Sequence, residues 1–174
     1  MIGTKENDIF YWLGIAYEGL GKVEPSQRYL HKATIGSDEL EMALYYNDPQ
    51  PDKIFYQGCS WLKLGEEDKA EAIFHRLIHY GESHLNDDIK LDYFAVSLPD
   101  LLIFESNLSE KNKINCQYLS ALGYMGFEEL DTAIGLFKKI LLKDASHHGA
   151  KMHLELIVKN QNVKYAKKQS YLKN

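Results

Sequence analysis

The chain has 174 residues, 45% of them hydrophobic and 26% charged, with a formal net charge of −5. That is one ordinary domain or one short repeat array, long enough to bury its core without staples. The mild acidity excludes whole-chain nucleic-acid affinity, which needs a basic footprint.

Two cysteines, Cys59 and Cys116, are too few for a disulfide framework in a chain of this size. No apolar run approaches the roughly 20 residues that span a bilayer. The first residues lack a basic-then-apolar leader pattern. A reducing, cytoplasmic location is therefore expected. The sequon Asn107-Leu108-Ser109 carries no weight without a secretion signal.

The first predicted helix pair runs from about Asn7 to Ile35. Ile9, Phe10, Leu13, Ile15, Ala16, Tyr17 and Leu20 have helical spacing on more than one side. Gly21 stops the first helix, Pro25 sits near the start of the second, and Gly36 ends it. Ser37–Tyr46 reads as a short extra helix with Ser37 as N-cap and a stripe of Leu40, Ala43 and Leu44. Asn47–Pro51 then breaks the chain.

A second pair follows, Asp52–Leu64 and Glu66–Tyr80, with Gly65 at the turn and Gly81 at the stop. Leu85–Val96 is expected to be helical, and Ser97-Leu98-Pro99-Asp100 restarts the chain. Leu101–Phe104 reads as a buried helical run. The third pair spans about Ser109–Lys143. Ser146–Lys159 forms a further helix that caps the stack. The lysine-rich tail beyond it either frays or adds a last amphipathic turn.

One residue pattern recurs three times across these pairs. Tyr17, Gly21, Ser26, Leu30 and Ala33 are followed by Trp61, Gly65, Ala70, Phe74 and Leu77, then by Tyr124, Glu128, Ala133, Phe137 and Ile140. Gly14, Gly58 and Ala121 occupy one further common position. The steric logic is that of a helix–turn–helix unit. The small residue of the second helix permits close approach, the aromatic of the first fills the gap beside it, and the larger apolar residue packs on the next pair.

This pattern resembles the tetratricopeptide repeat. The resemblance implies an all-α fold, a TPR-like right-handed α/α superhelix of about three helix pairs with inserted helices. The departures are specific. The repeat period is about 34 residues, yet Tyr17 and Trp61 lie 44 apart and Trp61 and Tyr124 lie 63 apart. The terminal proline is missing from all three units, and Glu128 stands where a glycine is expected.

The stretches Tyr45–Gly58, Asp92–Phe104 and Ile114–Leu119 are similar to the C-terminal tetratricopeptide region of large multidomain bacterial proteins of unknown function. In that family a β-rich region linked to carbohydrate metabolism precedes the helices. The resemblance, over roughly residues 40–155, implies a C-terminal fragment or free-standing remnant of such a protein. It assigns no catalytic residue. The expected organisation is one helical domain over residues 1–160, with units at about 7–36, 51–82 and 114–145. Inserts fall at 37–50 and 83–113, and a basic tail at 161–174.

Chemical motifs are weak throughout. Gly14–Lys22 looks like a phosphate loop but lacks the required glycine at Ala16 and the hydroxyl residue at Val23. His75 and His79 share a helical face near Glu71 without an HExxH motif or a third ligand. His147, His148 and His153 form a similar group, with His147 placed to cap a helix. Asn86, Asp87, Asp88, Asp92 and Asp100 match no calcium loop; Asp87 and Asp88 suit a helix N-terminus. No cofactor, metal or catalytic residue is expected.

In tetratricopeptide arrays the first helices line the inner face, and the register transfers to this chain. It gives Tyr11 and Ile15 from the first unit, Phe55, Cys59 and Leu62 from the second, and Tyr118, Leu122 and Met125 from the third. Asp8, Glu18, Asp52, Lys63 and Asn115 flank them. Tyr11, Phe55 and Tyr118 occupy equivalent positions, and such an aromatic row suits an apolar or amphipathic partner. The alternative is that the inserts cover the row and make it core.

The expected function is a non-catalytic protein–protein interaction or scaffolding module. Its partner is a protein or peptide, another domain of a parent protein, or a second copy. Nucleic acid and membrane are not expected partners. An apolar N-terminal face around Phe10–Leu13 offers a surface for dimerisation. The alternative is an accessory part of a carbohydrate-active enzyme using the acids near Asp92 and Asp100.

Overall fold

The computed structural model describes residues 6–40, 50–89 and 105–171, with side chains for all of these except 105–107 and 161–171. Seven helices and no strands occur among them: α1 Asn7–Gly19, α2 Val23–Ala33, α3 Pro51–Lys63, α4 Glu67–Ser83, α5 Glu105–Gly126, α6 Leu130–Lys143 and α7 His148–Tyr171.

The helices pair in chain order, α1 with α2, α3 with α4, and α5 with α6. Each first helix also packs on the next first helix, α1 on α3 and α3 on α5. Each second helix packs on the first helix of the next unit, α2 on α3, α4 on α5 and α6 on α7. That double contact between consecutive pairs is the stacking of a helical-repeat solenoid.

The three turns within the pairs are closed alike. Gly21, Gly65 and Glu128 adopt φ of 69°, 82° and 59°. The residue after each donates its backbone N–H to the recurring aromatic: Lys22 to Tyr17, Glu66 to Trp61 and Glu129 to Tyr124, all at 2.9 Å. This left-handed residue followed by a six-to-one hydrogen bond is the Schellman way of ending a helix. Glu128 keeps the conformation although it pays the Cβ penalty that a glycine avoids.

Small residues set the helix spacing. A Cβ added at Gly14 would stand 2.7 Å from Leu30 Cγ, and one at Gly58 would stand 2.6 Å from Phe74 Cε1. Ser26 donates to the Gly14 carbonyl at 2.9 Å across the first pair. Phe74 continues into the third unit, where its ring meets Phe127 at 5.7 Å. The continuous core lies in the second and third units, around Ile54, Tyr56, Phe74, Leu77, Leu119, Leu122, Phe137 and Ile140.

Several expectations change. Gly81 does not stop α4, which runs on to Ser83. It is buried where α4 crosses α5, and a Cβ there would collide with Ser120 Oγ and the Cys116 carbonyl. Residues 37–40 are not helical. Ser37 instead accepts from the Glu39 N–H and gives its carbonyl to Gln57 Nε2 at 3.0 Å. Residues 84–89 form a turn and an irregular segment rather than the start of a helix. Asp87 bonds His84 Nδ1 at 2.6 Å just beyond α4.

The remainder of the two expected insert helices, with Leu101–Phe104, Asp92 and Asp100, lies outside the described residues. The α5 helix starts at Glu105, ahead of the expected Ser109, and the α7 backbone stays helical to Tyr171.

Candidate protein-binding face

The inner face is built by α1, α3 and α5 lying side by side. Ion pairs hold the first two together. Lys53 of α3 bonds Asp8 of α1, and Lys63 bonds Glu18 at 2.9 Å. Four of the charged residues on this face are thereby matched with one another. Both pairs are partly solvated, so their worth is about 1 kcal/mol or less each.

The eight candidate contact residues divide by burial. Phe55, Tyr118 and Leu122 are 3%, 5% and 0% exposed and stand in the core. Tyr11, Ile15, Cys59 and Met125 are half-buried, and Leu62 is 47% exposed. The equivalent aromatics Tyr11, Phe55 and Tyr118 are thus one set by register but two by surroundings. Only Tyr11 keeps part of its surface in solvent.

What covers Phe55 and Tyr118 is α7. His153 is fully buried and packs its ring against both, at 5.6 and 5.9 Å between centroids. It also stacks on Phe137 of α6 at 6.0 Å and 17°. Its Nδ1–H donates to the Gly149 carbonyl at 2.8 Å. That leaves Nε2 free to accept the Tyr56 hydroxyl proton at 3.3 Å, while the Tyr118 oxygen stands 3.2 Å from Nδ1. One neutral tautomer satisfies this set. Burial lowers the His153 pKa below its ordinary value, with the Gly149 bond opposing, and so favours that neutral form.

The sequence reading makes His153, with His147 and His148, a solvated surface histidine rather than a metal ligand, and leaves Tyr56 out; His153 is instead buried. The signal was present: Ala150, His153, Leu154 and Ile157 follow the i, i+3, i+4, i+7 spacing of a buried stripe. His147 caps α7 as expected, accepting the Ala150 N–H at Nδ1, 3.1 Å away. His75 lies against the Phe127 ring at 4.6 Å, and His79 is exposed. Among the described residues no group of three or more His, Cys, Asp or Glu side chains converges as a metal site. No helix among them is long and apolar enough to cross a membrane.

Cys116 is fully buried, and burial pushes its pKa up to about 11. A thiol held so far above neutrality is a packing group.

Stacked pairs in one register, with a shared inner face, define a helical-repeat protein. Residues 54–80, most of the second pair, match the family model of the tetratricopeptide repeat. No solved structure matches the chain. Tetratricopeptide repeats are interaction modules whose stacked helices form extended concave binding surfaces.

Proposed function

We propose that this chain is a non-catalytic protein-interaction module whose partner docks on the inner face at Ile15, Leu62 and Met125. The observation that carries the proposal is the division of that face. Four of its charged residues, Asp8, Lys53, Glu18 and Lys63, pair with one another. Leu62 remains 47% exposed, with Ile15 and Met125 half-buried on the neighbouring helices. A surface of that kind fits an apolar or amphipathic segment better than a charged peptide tail. The partner is a segment of another protein, another domain of a larger bacterial parent protein, or a second copy, met in the cytoplasm.

Affinity capture from source-cell extract tests this, using the wild type, Leu62→Glu and Met125→Glu. A discrete protein should be retained by the wild type and lost by variants that melt as the wild type does. Equal recovery by all three rejects the inner face as the docking surface.

A further inference from the structure

The outer side of α1 is an apolar stripe that no other described element covers. Ile9, Leu13 and Leu20 are 52%, 37% and 68% exposed, and Ala16 is exposed between them. Trp12, at the edge of the stripe, is 42% exposed and turns its ring to Tyr56 of α3, 6.0 Å between centroids. On a 3.6-residue period Ile9, Leu13, Ala16 and Leu20 fall within an arc of about 60°. The packed sides of α1 point elsewhere, with Gly14 against Leu30 of α2 and Tyr11 against Tyr56 of α3. A contiguous stripe of this kind marks an interaction surface.

Charge says what covers it. Glu6 and Lys22 are both exposed and stand at opposite ends of the stripe. They also share one flank. Glu6 and Tyr17 fall within about 20° of each other on the helical period, and Lys22 Nζ lies over the Tyr17 ring, 5.9 Å from its centroid. A two-fold axis perpendicular to α1 keeps the flank and exchanges the ends. It therefore sets Glu6 of each copy beside Lys22 of the other, Ile9 against Leu20, and Leu13 against Ala16. Parallel pairing, about an axis along α1, would instead exchange the flanks, bring like charges to the same end and pair neither Glu6 nor Lys22.

We propose that α1 docks antiparallel on α1 of a second copy of this chain, across a two-fold axis between Leu13 and Ala16. The small Ala16 side chain at the centre lets the helices approach closely. The contact is isologous, so it closes at two copies. It deepens the interaction-module reading on which it rests, and it leaves the inner face free.

Sedimentation velocity across micromolar concentrations tests it, on the wild type, Leu13→Glu, Glu6→Lys, Lys22→Glu and the double reversal. The wild type should dimerise reversibly and Leu13→Glu should be monomeric. Each single reversal should weaken the dimer about tenfold, and the double reversal should recover it. The charge variants alter exposed side chains, so they report even if Leu13→Glu fails to fold.

A strict monomer overturns the proposal, as does a dimer indifferent to Leu13→Glu. A double reversal no better than the singles overturns the antiparallel arrangement. A monomer that cross-links a different protein through Leu13 overturns the second copy but leaves the interaction-module reading standing. Failure of that reading itself would show separately, as capture unaffected by Leu62→Glu.

Discussion

Tyr56 of α3 gives its hydroxyl proton to Nε2 of His153 on α7, 3.3 Å away, across 97 positions of chain. This bond ties the final helix to the second unit, although α7 follows the third. Removing the hydroxyl in Tyr56→Phe leaves a buried nitrogen without its donor. The expected cost is about 1–3 kcal/mol, read as a lower denaturant midpoint with an unchanged slope. A cost near zero would show that the nitrogen finds another donor.

The same histidine makes stability depend on pH. Burial lowers the folded-state pKa of His153 below the ordinary 6.5, and burial lowers that of His147 as well. The unfolded chain therefore binds protons at a pH where the folded chain does not. The stabilising contribution is full above about pH 6.5 and is lost as pH falls through the lower folded values. Melting temperature should drop between pH 7.5 and 5, and His153→Gln should flatten that drop. An identical slope in the variant would remove His153 as its source.

Glu128 holds φ of 59°, where the first two units have glycine. The left-handed conformation costs a non-glycine residue about 1–2 kcal/mol, partly offset by the freedom a glycine loses on folding. Glu128→Gly should stabilise the chain by about 0.5–1 kcal/mol in chemical denaturation. A destabilised variant would mean that the Glu128 side chain does more than occupy a turn.

Two helical glycines should answer alanine with opposite signs. At Gly58 a Cβ would stand 2.6 Å from Phe74 Cε1 and 3.2 Å from Ile73 Cγ2. Gly58→Ala should destabilise by about 1–3 kcal/mol through overpacking. At Gly135 a Cβ meets nothing within 4 Å. Gly135→Ala should stabilise by about 0.5–1 kcal/mol through helix propensity alone. A Gly58→Ala variant that melts no lower than the wild type would contradict the spacing role of Gly58.

The repeat register could be read from the sequence because it is a steric pattern with local causes. Tyr17, Trp61 and Tyr124 announce the turns that Gly21, Gly65 and Glu128 close, and the close approaches at Gly14 and Gly58 follow from residue size. Gly81 misled because a glycine at a helix end and a glycine at a helix crossing look alike until the neighbour is known. Ser37 misled because its hydroxyl serves a turn, while its carbonyl goes to Gln57 of α3, a tertiary partner that local spacing does not announce. Burial of the aromatic row was open as an alternative, with the inserts as its cover. The described cover of Phe55 and Tyr118 is α7, through His153, and only the stripe through His153 hinted at that.

Photo-cross-linking from the inner face tests the interaction reading most directly. A photoreactive residue at Leu62 is compared with one at Lys138, an exposed residue of the second helix of the third pair, in source-cell extract. The inner-face reading predicts a protein adduct of discrete mass from position 62 and none from position 138. No adduct from position 62, or the same adduct from both positions, would contradict it.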